Sequence, residues 1–175
     1  MKFNVPAHPK SGPVAEFEWS TGHVFKNPHS ITLHAGSQLL VVADREQQAL
    51  KLIRAKDGKV LDGDFNCGLG FGPGGGVPYG VRALKHGRKD LLFVASMDNP
   101  QDHKNQKISI LDVSKLNEAA GAQSACTVIQ TLAIDPQEYS GPHLMGVDEM
   151  SGDVYAALVS DAPHSTVLRF TMRQY

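Results

Sequence analysis

Three dipeptides carry the side chains best suited to chemistry. Pro28-His29, Pro78-Tyr79 and Pro142-His143 each open an apolar stretch, NPHSITL, VPYGVRA and GPHLMGV. Imidazole is the side chain most often recruited to a transition metal. Arg45, in LLVVADRE, presents a planar fork of donors that matches a carboxylate. Met97 or Asp98, in LLFVASMD, and Asp161, in VYAALVSD, hold the corresponding place behind the two later stretches. If the three segments are equivalent, His29, Tyr79 and His143 project from one level, with Arg45 and Asp161 in the loops beside them. Imidazole, phenol and guanidinium around one mouth suit metal binding combined with carboxylate recognition. Each residue alone has a plainer use. A loop histidine makes an ordinary hydrogen bond, a tyrosine packs with its hydroxyl satisfied, and Arg45 pairs with Glu46 or Asp44 on the surface. Recurrence at matched positions is what points to a site.

The elements that must position these residues are strands. Each Pro-x segment is followed by a Gly-containing turn (HAGSQ, KHGRKD, EMSGD), an apolar strand ending in small and acidic residues, and a third strand with period-two alternation (QALKLI, KISILDV, TVLRFTM). The units begin 50 and 64 residues apart, at Pro28, Pro78 and Pro142. The second carries a polar insert, NPQDHKNQK, then SKLNEAAGAQSA as a loop or short helical turn, and CTVIQTLAI as an outer strand. Glycine, proline and β-branched residues recur too often for helices. The fold class expected is therefore all-β, a β-propeller whose blades are sheets of three to four antiparallel strands. Residues 28–33, 78–83 and 142–147 are the expected inner strands, and 28–76, 77–140 and 141–175 the blades. Residues 1–27 are expected to end a preceding blade, adding an outer hairpin or strand through VAEFEWS and HVFKN. The run CGLGFGPGGGVP contains a nominal GxGxxG, but Pro73 interrupts it and a strand follows, so it reads as an inter-blade loop.

Composition excludes several classes. The 175 residues are 41% hydrophobic and 20% charged, with net charge -1 and no basic block, so nucleic-acid binding is not expected. The longest apolar runs, such as Leu39–Ala43, are strand-sized and far below the roughly 20 residues of a membrane-spanning helix. The opening MKFNVPAHPKSGP is not a signal peptide. Cys67 and Cys126 lie far apart and form no CxxC pair; two unpaired thiols are expected, with a disulfide as the alternative.

The stretch NPHSITLHAGSQLLVVADREQQALKLI resembles the Pro-His-Ser and Ala-Asp-Arg-Glu segment of the peptidyl-α-hydroxyglycine α-amidating lyases. The resemblance continues through YGVRALKHGRKDLLFVASMDN to GPHLMGVDEMSGDVYAALVSDAPHSTVLRF and covers roughly residues 17–172, the C-terminal half of that catalytic domain. It implies a six-bladed propeller of the NHL-repeat type that holds zinc through three histidines near its axis. The implied reaction splits a peptide ending in α-hydroxyglycine into the peptide amide and glyoxylate, in the secretory pathway or outside the cell. His29 and His143 match two family zinc ligands, and Arg45 matches a family active-site arginine.

Departures from the family pattern accompany these matches. The family's third histidine, its catalytic tyrosine and a further arginine fall in blades that this sequence does not match, and Tyr79 is not at the family tyrosine's position. Leu144 replaces the aspartate that serves the family as a calcium ligand, so zinc and not calcium is the expected metal. The family's disulfide across the ADRE hairpin is absent, with Val41 and Leu52 in its places. Three blades do not close a ring. The chain alone is therefore expected to be inactive, and either to continue upstream of Met1 or to self-associate. The alternative function is a non-catalytic NHL-type propeller that binds protein or peptide through the same mouth.

Overall fold

A computed structural model describes residues 18–72, 75–98, 106–119, 125–134, 141–159 and 166–172. Among these there is no helix. Ten strands form three antiparallel sheets. The first holds β1 (Pro28–His34), β2 (Leu39–Asp44) and β3 (Ala49–Arg54) in that order. The second holds β4 (Val77–His86), β5 (Lys89–Met97), β6 (Lys107–Asp112) and β7 (Thr127–Ala133). The third holds β8 (Gly141–Asp148), β9 (Asp153–Val159) and β10 (Val167–Thr171). The expected all-β class is thus present, strands stand at 28–33, 78–83 and 142–147, and CTVIQTLAI supplies β7. Residues 114–119 contain turns and no helix, while residues 120–124 and most of the polar insert lie outside the described residues.

The middle sheet is covered on both sides, which period-two alternation makes possible. Leu92 and Val94 of β5 join Leu39, Val41, Leu50 and Leu52 in one core cluster. Leu91, Phe93 and Ala95, pointing the other way, join Met145, Val154, Ala156 and Leu158 in a second. These residues are nearly all below 5% exposed, so both sheet-to-sheet contacts are close-packed. The outer edge of β3 is covered by residues 59–66, where Leu61 N–H donates to Leu52 O and Phe65 N–H to Leu50 O.

Two expectations need correction. Cys67 and Cys126 are not free thiols. They form a disulfide, with Cα atoms 5.8 Å apart, that joins the loop after β3 to the segment entering β7. The described part of 18–27 makes no strand; it runs irregularly, and the Trp19 ring fills the space that a side chain at Gly58 would need. In the β1–β2 hairpin the left-handed residue is Gln38, not Gly36, whereas Gly87 and Gly152 fill that role in the other two first hairpins. Gly36 is small for another reason: a Cβ there would come within 3.3 Å of the His34 ring.

Candidate functional site

Each of the first strands of the three sheets starts with the same irregularity. Pairing of β1 with β2 jumps from Pro28 opposite Asp44 to Ser30 opposite Ala43, leaving His29 out of register. In β4 the jump runs from Pro78 to Gly80 and omits Tyr79. In β8 it runs from Pro142 to Leu144 and omits His143. A bulge places one extra residue in a strand and turns its side chain away from the regular alternation. Proline fits there because it has no N–H to give to a ladder.

The three released rings meet. The His29 and His143 ring centres are 4.5 Å apart and nearly perpendicular, Tyr79 lies 5.1 Å from His29, and Tyr79 lies 5.6 Å from His143. The Arg45 guanidinium stands 5.6 Å from the centre of the Tyr79 ring, so it occupies the same end of the strands. The structure thus brings His29, Tyr79, His143 and Arg45 together at one end of β1, β4 and β8. Asp161 lies outside the described residues. Met97 is buried against Gly141, where an added Cβ would collide with its sulfur, so it packs and does not line the mouth. Leu144 is exposed.

One local hydrogen bond selects the His29 tautomer. His29 Nδ1 lies 2.8 Å from the backbone carbonyl of Tyr79, which can only accept, so Nδ1 carries hydrogen and Nε2 is left with its lone pair in the neutral ring. Burial, followed by the neighbouring His29 and Arg45, holds His143 below the ordinary imidazole range. Burial also pushes the Tyr79 phenol up, with Arg45 pulling in the opposite direction. Arg45 pairs with Glu46 at 2.8 Å, which raises its already high pKa. Being partly exposed, that pair contributes little to stability and leaves the guanidinium available.

The residues around the bulges are structural. Val81 N–H donates to Ser30 Oγ at 3.2 Å and Ala83 N–H to Thr32 Oγ1 at 3.0 Å. The hydroxyls of the Pro-His-Ser strand thus satisfy the open edge of β4 and fix its distance from β1. On the other side of β4, a Cβ at Gly80 would lie 3.0 Å from the His143 carbonyl, so this glycine allows β8 its close approach. Asp44, fully buried, accepts the N–H groups of Lys26 and Asn27, each at 2.9 Å. The sequence offered Asp44 only as a surface partner of Arg45; it is buried instead, and Arg45 pairs with Glu46. An acidic residue closing an otherwise apolar strand was the available signal.

A second feature lies at the far end of the same strands. A cavity of about 560 Å³ is bordered by His34, Lys85, Asp90 and Glu149 together with Leu33 and Leu91. His34 Nδ1 accepts from Ser37 N–H at 3.2 Å, so Nε2 bears hydrogen, 3.6 Å from Asp90 Oδ2. Burial lowers the His34 pKa and outweighs the opposing pull of Asp90. The unfolded chain takes up that proton near pH 6.5 and the folded chain only lower. The unfolded state therefore binds more protons between these two points. Stability is expected to be full near pH 7 and to fall as pH drops below about 6.5, with His143 acting in the same direction. Urea unfolding of wild type and His34→Gln at about pH 7 and pH 5.5 checks this. The variant should lose less stability between the two pH values, and equal losses would remove His34 as a source.

Among the described residues no group of three or more His, Cys, Asp or Glu is placed to hold a metal ion, and no helix is long and apolar enough to cross a membrane. The site therefore offers two imidazoles with one phenol and one guanidinium beside them. No family model and no curated protein matches the chain. Among solved structures, a protein from Lactobacillus plantarum determined by a structural genomics consortium is similar at 20% identity with a TM-score of 0.43. The match covers 85% of this chain and 43% of that one. The chain thus spans less than half the length of that protein.

Proposed function

We propose that this chain is part of an NHL-type β-propeller, its three sheets being three of six blades, and that its mouth is a zinc-dependent peptidyl-α-hydroxyglycine lyase site. The observation that supports this reading most is the convergence of His29, His143 and Arg45 at one end of the inner strands.

The donor chemistry fits zinc and not calcium. His143 is held below the ordinary imidazole range, and His29 has its Nδ1 hydrogen held by a carbonyl, the arrangement found in metal-binding histidines. Calcium takes oxygen donors, and Leu144 offers none. When bound, zinc would polarise the substrate's hydroxyl oxygen as a Lewis acid. Arg45 receives the substrate carboxylate through paired N–H donors and sets the orientation of the α-carbon. In the reaction the hydroxyl proton leaves, its electron pair becomes the carbonyl of glyoxylate, the carbon–nitrogen bond breaks, and the amide nitrogen takes up a proton. The Cys67–Cys126 disulfide suits an oxidising compartment, in keeping with a secreted protein.

Further blades, or a second copy of the chain, are proposed to complete the ring. Ile31 and Val167 remain half or more exposed on the two outermost sheets. The rival reading is a propeller that binds peptide without cleaving it, and the same experiment separates the two. Metal-stripped protein is titrated with zinc by calorimetry, then supplied with an α-hydroxyglycine peptide while glyoxylate is measured. The lyase reading expects one tight zinc per site, and glyoxylate release wherever size-exclusion chromatography shows a completed ring. His29→Ala is expected to abolish zinc uptake and to leave thermal unfolding nearly unchanged. Peptide binding without zinc uptake would favour the binding module.

A further inference from the structure

We propose that the phenol oxygen of Tyr79 is the third protein donor to the metal held by His29 and His143. This inference rests on the metal-site reading above and adds one residue to it.

The bulges carry it. The fold builds the same device three times, a proline followed by one residue released from strand register, and it fills two of the three positions with imidazole and the third with phenol. The three rings are mutual neighbours, with Tyr79 between 5 and 6 Å from both histidines, so the phenol is not a distant wall of the site. No third His, Cys, Asp or Glu among the described residues accompanies the histidine pair. Tyr79 is the donor-bearing side chain that touches both rings. It is also almost fully buried, with the Arg45 guanidinium 5.6 Å from the centre of its ring.

On binding, the phenol O–H bond breaks and the proton passes to solvent. The oxygen's electron pair forms the bond to the metal, with no change of oxidation state. Two neutral imidazoles and one phenolate leave a single positive charge on a divalent ion. Together with Arg45, that charge favours an anionic ligand at the remaining position.

The test uses the full chain, stripped of metal, with zinc and copper(II) as probes. Zinc affinity is measured by competition with a chelator, and the copper form is examined for a phenolate-to-copper charge-transfer band. The expected result is such a band in wild type, its loss in Tyr79→Phe, and a fall in zinc affinity of that variant. The fall should be at least the roughly 10–100-fold seen when an outer-shell partner of a metal ligand is removed. Tyr79→His is expected to restore the affinity without the band, which a purely structural role for the ring would not produce. Thermal unfolding of both variants confirms that they fold. If zinc binds through His29 and His143 but the copper form lacks the band and Tyr79→Phe binds zinc as tightly as wild type, the phenol is not a ligand and the histidine pair stands alone. If neither ion binds, this proposal and the metal-site reading both fall.

Discussion

Removing the Cys67–Cys126 bridge is expected to destabilise the protein by about 4 kcal/mol. The cross-link spans a sequence separation of 59 residues. Closing a loop of that size in the unfolded chain removes roughly 14 cal/mol/K of conformational entropy, hence the value at 25 °C. The bridge also ties the first sheet to the second at a point where backbone pairing does not. Cys67 belongs to the core cluster between them, while β7, which Cys126 leads into, is largely exposed and held by β6 alone. Cys67→Ala with Cys126→Ala avoids burying new hydroxyls. For a chain of this length the melting temperature is expected to fall by about 8–16 °C. Differential scanning calorimetry with and without reductant checks this, and a fall of less than about 2 °C would show that the two cysteines are not joined in solution.

Asp44→Ala is expected to cost on the order of 3–4 kcal/mol, from hydrogen bonds to a charged acceptor, and to disorganise the mouth as well. Asp44 Oδ2 accepts Lys26 N–H, and Oδ1 accepts both Asn27 N–H and, at 3.3 Å, Gln47 N–H. Arg45 N–H in turn donates to Asn27 O. One carboxylate thus fastens the chain entering β1 to the turn leaving β2, which places His29 and Arg45 at the same height. Alanine leaves three donors without their acceptor. Asparagine keeps one acceptor oxygen and is expected to lose about half as much. Urea unfolding measures the stability loss, and zinc competition measures the second effect. If the proposed zinc site is present, Asp44→Ala should weaken it, because Asp44 acts through the backbone N–H groups of Lys26 and Asn27. Unchanged zinc affinity in a folded variant would show that the strap does not position the site.

The strands were legible because period-two alternation and Gly-containing turns are local properties. The meeting of His29 with His143 was legible because both follow a proline at the same point of a repeated unit. What was illegible depends on how sheets stack. Cys67 and Cys126 approach only after the first sheet packs on the second, and nothing in their spacing announces it. Asp44 acts on N–H groups that lie 17 or 18 residues earlier in the chain, in a segment that reads as an outer strand but forms none. Gln38 adopts the left-handed conformation, φ 55°, because the turn around it requires that hand, and glutamine carries no local preference that would mark it. The bulges were half legible: a proline marked each one, but the loss of register shows only when the partner strand is aligned beside it.

Those bulges have a consequence for how the protein can change. A residue in regular register is tied to its neighbours, since its side chain must fit one face of a sheet and its backbone must serve the ladder. A released residue is spared the regular register, even where its backbone serves another partner, as the Tyr79 carbonyl does for His29. His29, Tyr79 and His143 therefore sit in interchangeable sockets, where imidazole, phenol or another head group can be exchanged while the strand behind keeps its alternation and the cores on either side stay filled. Chemistry at the mouth is in this way uncoupled from the packing that supports it. On the proposed function, substitutions at these three positions are expected to change the head groups of the site while the core clusters on either side stay as they are.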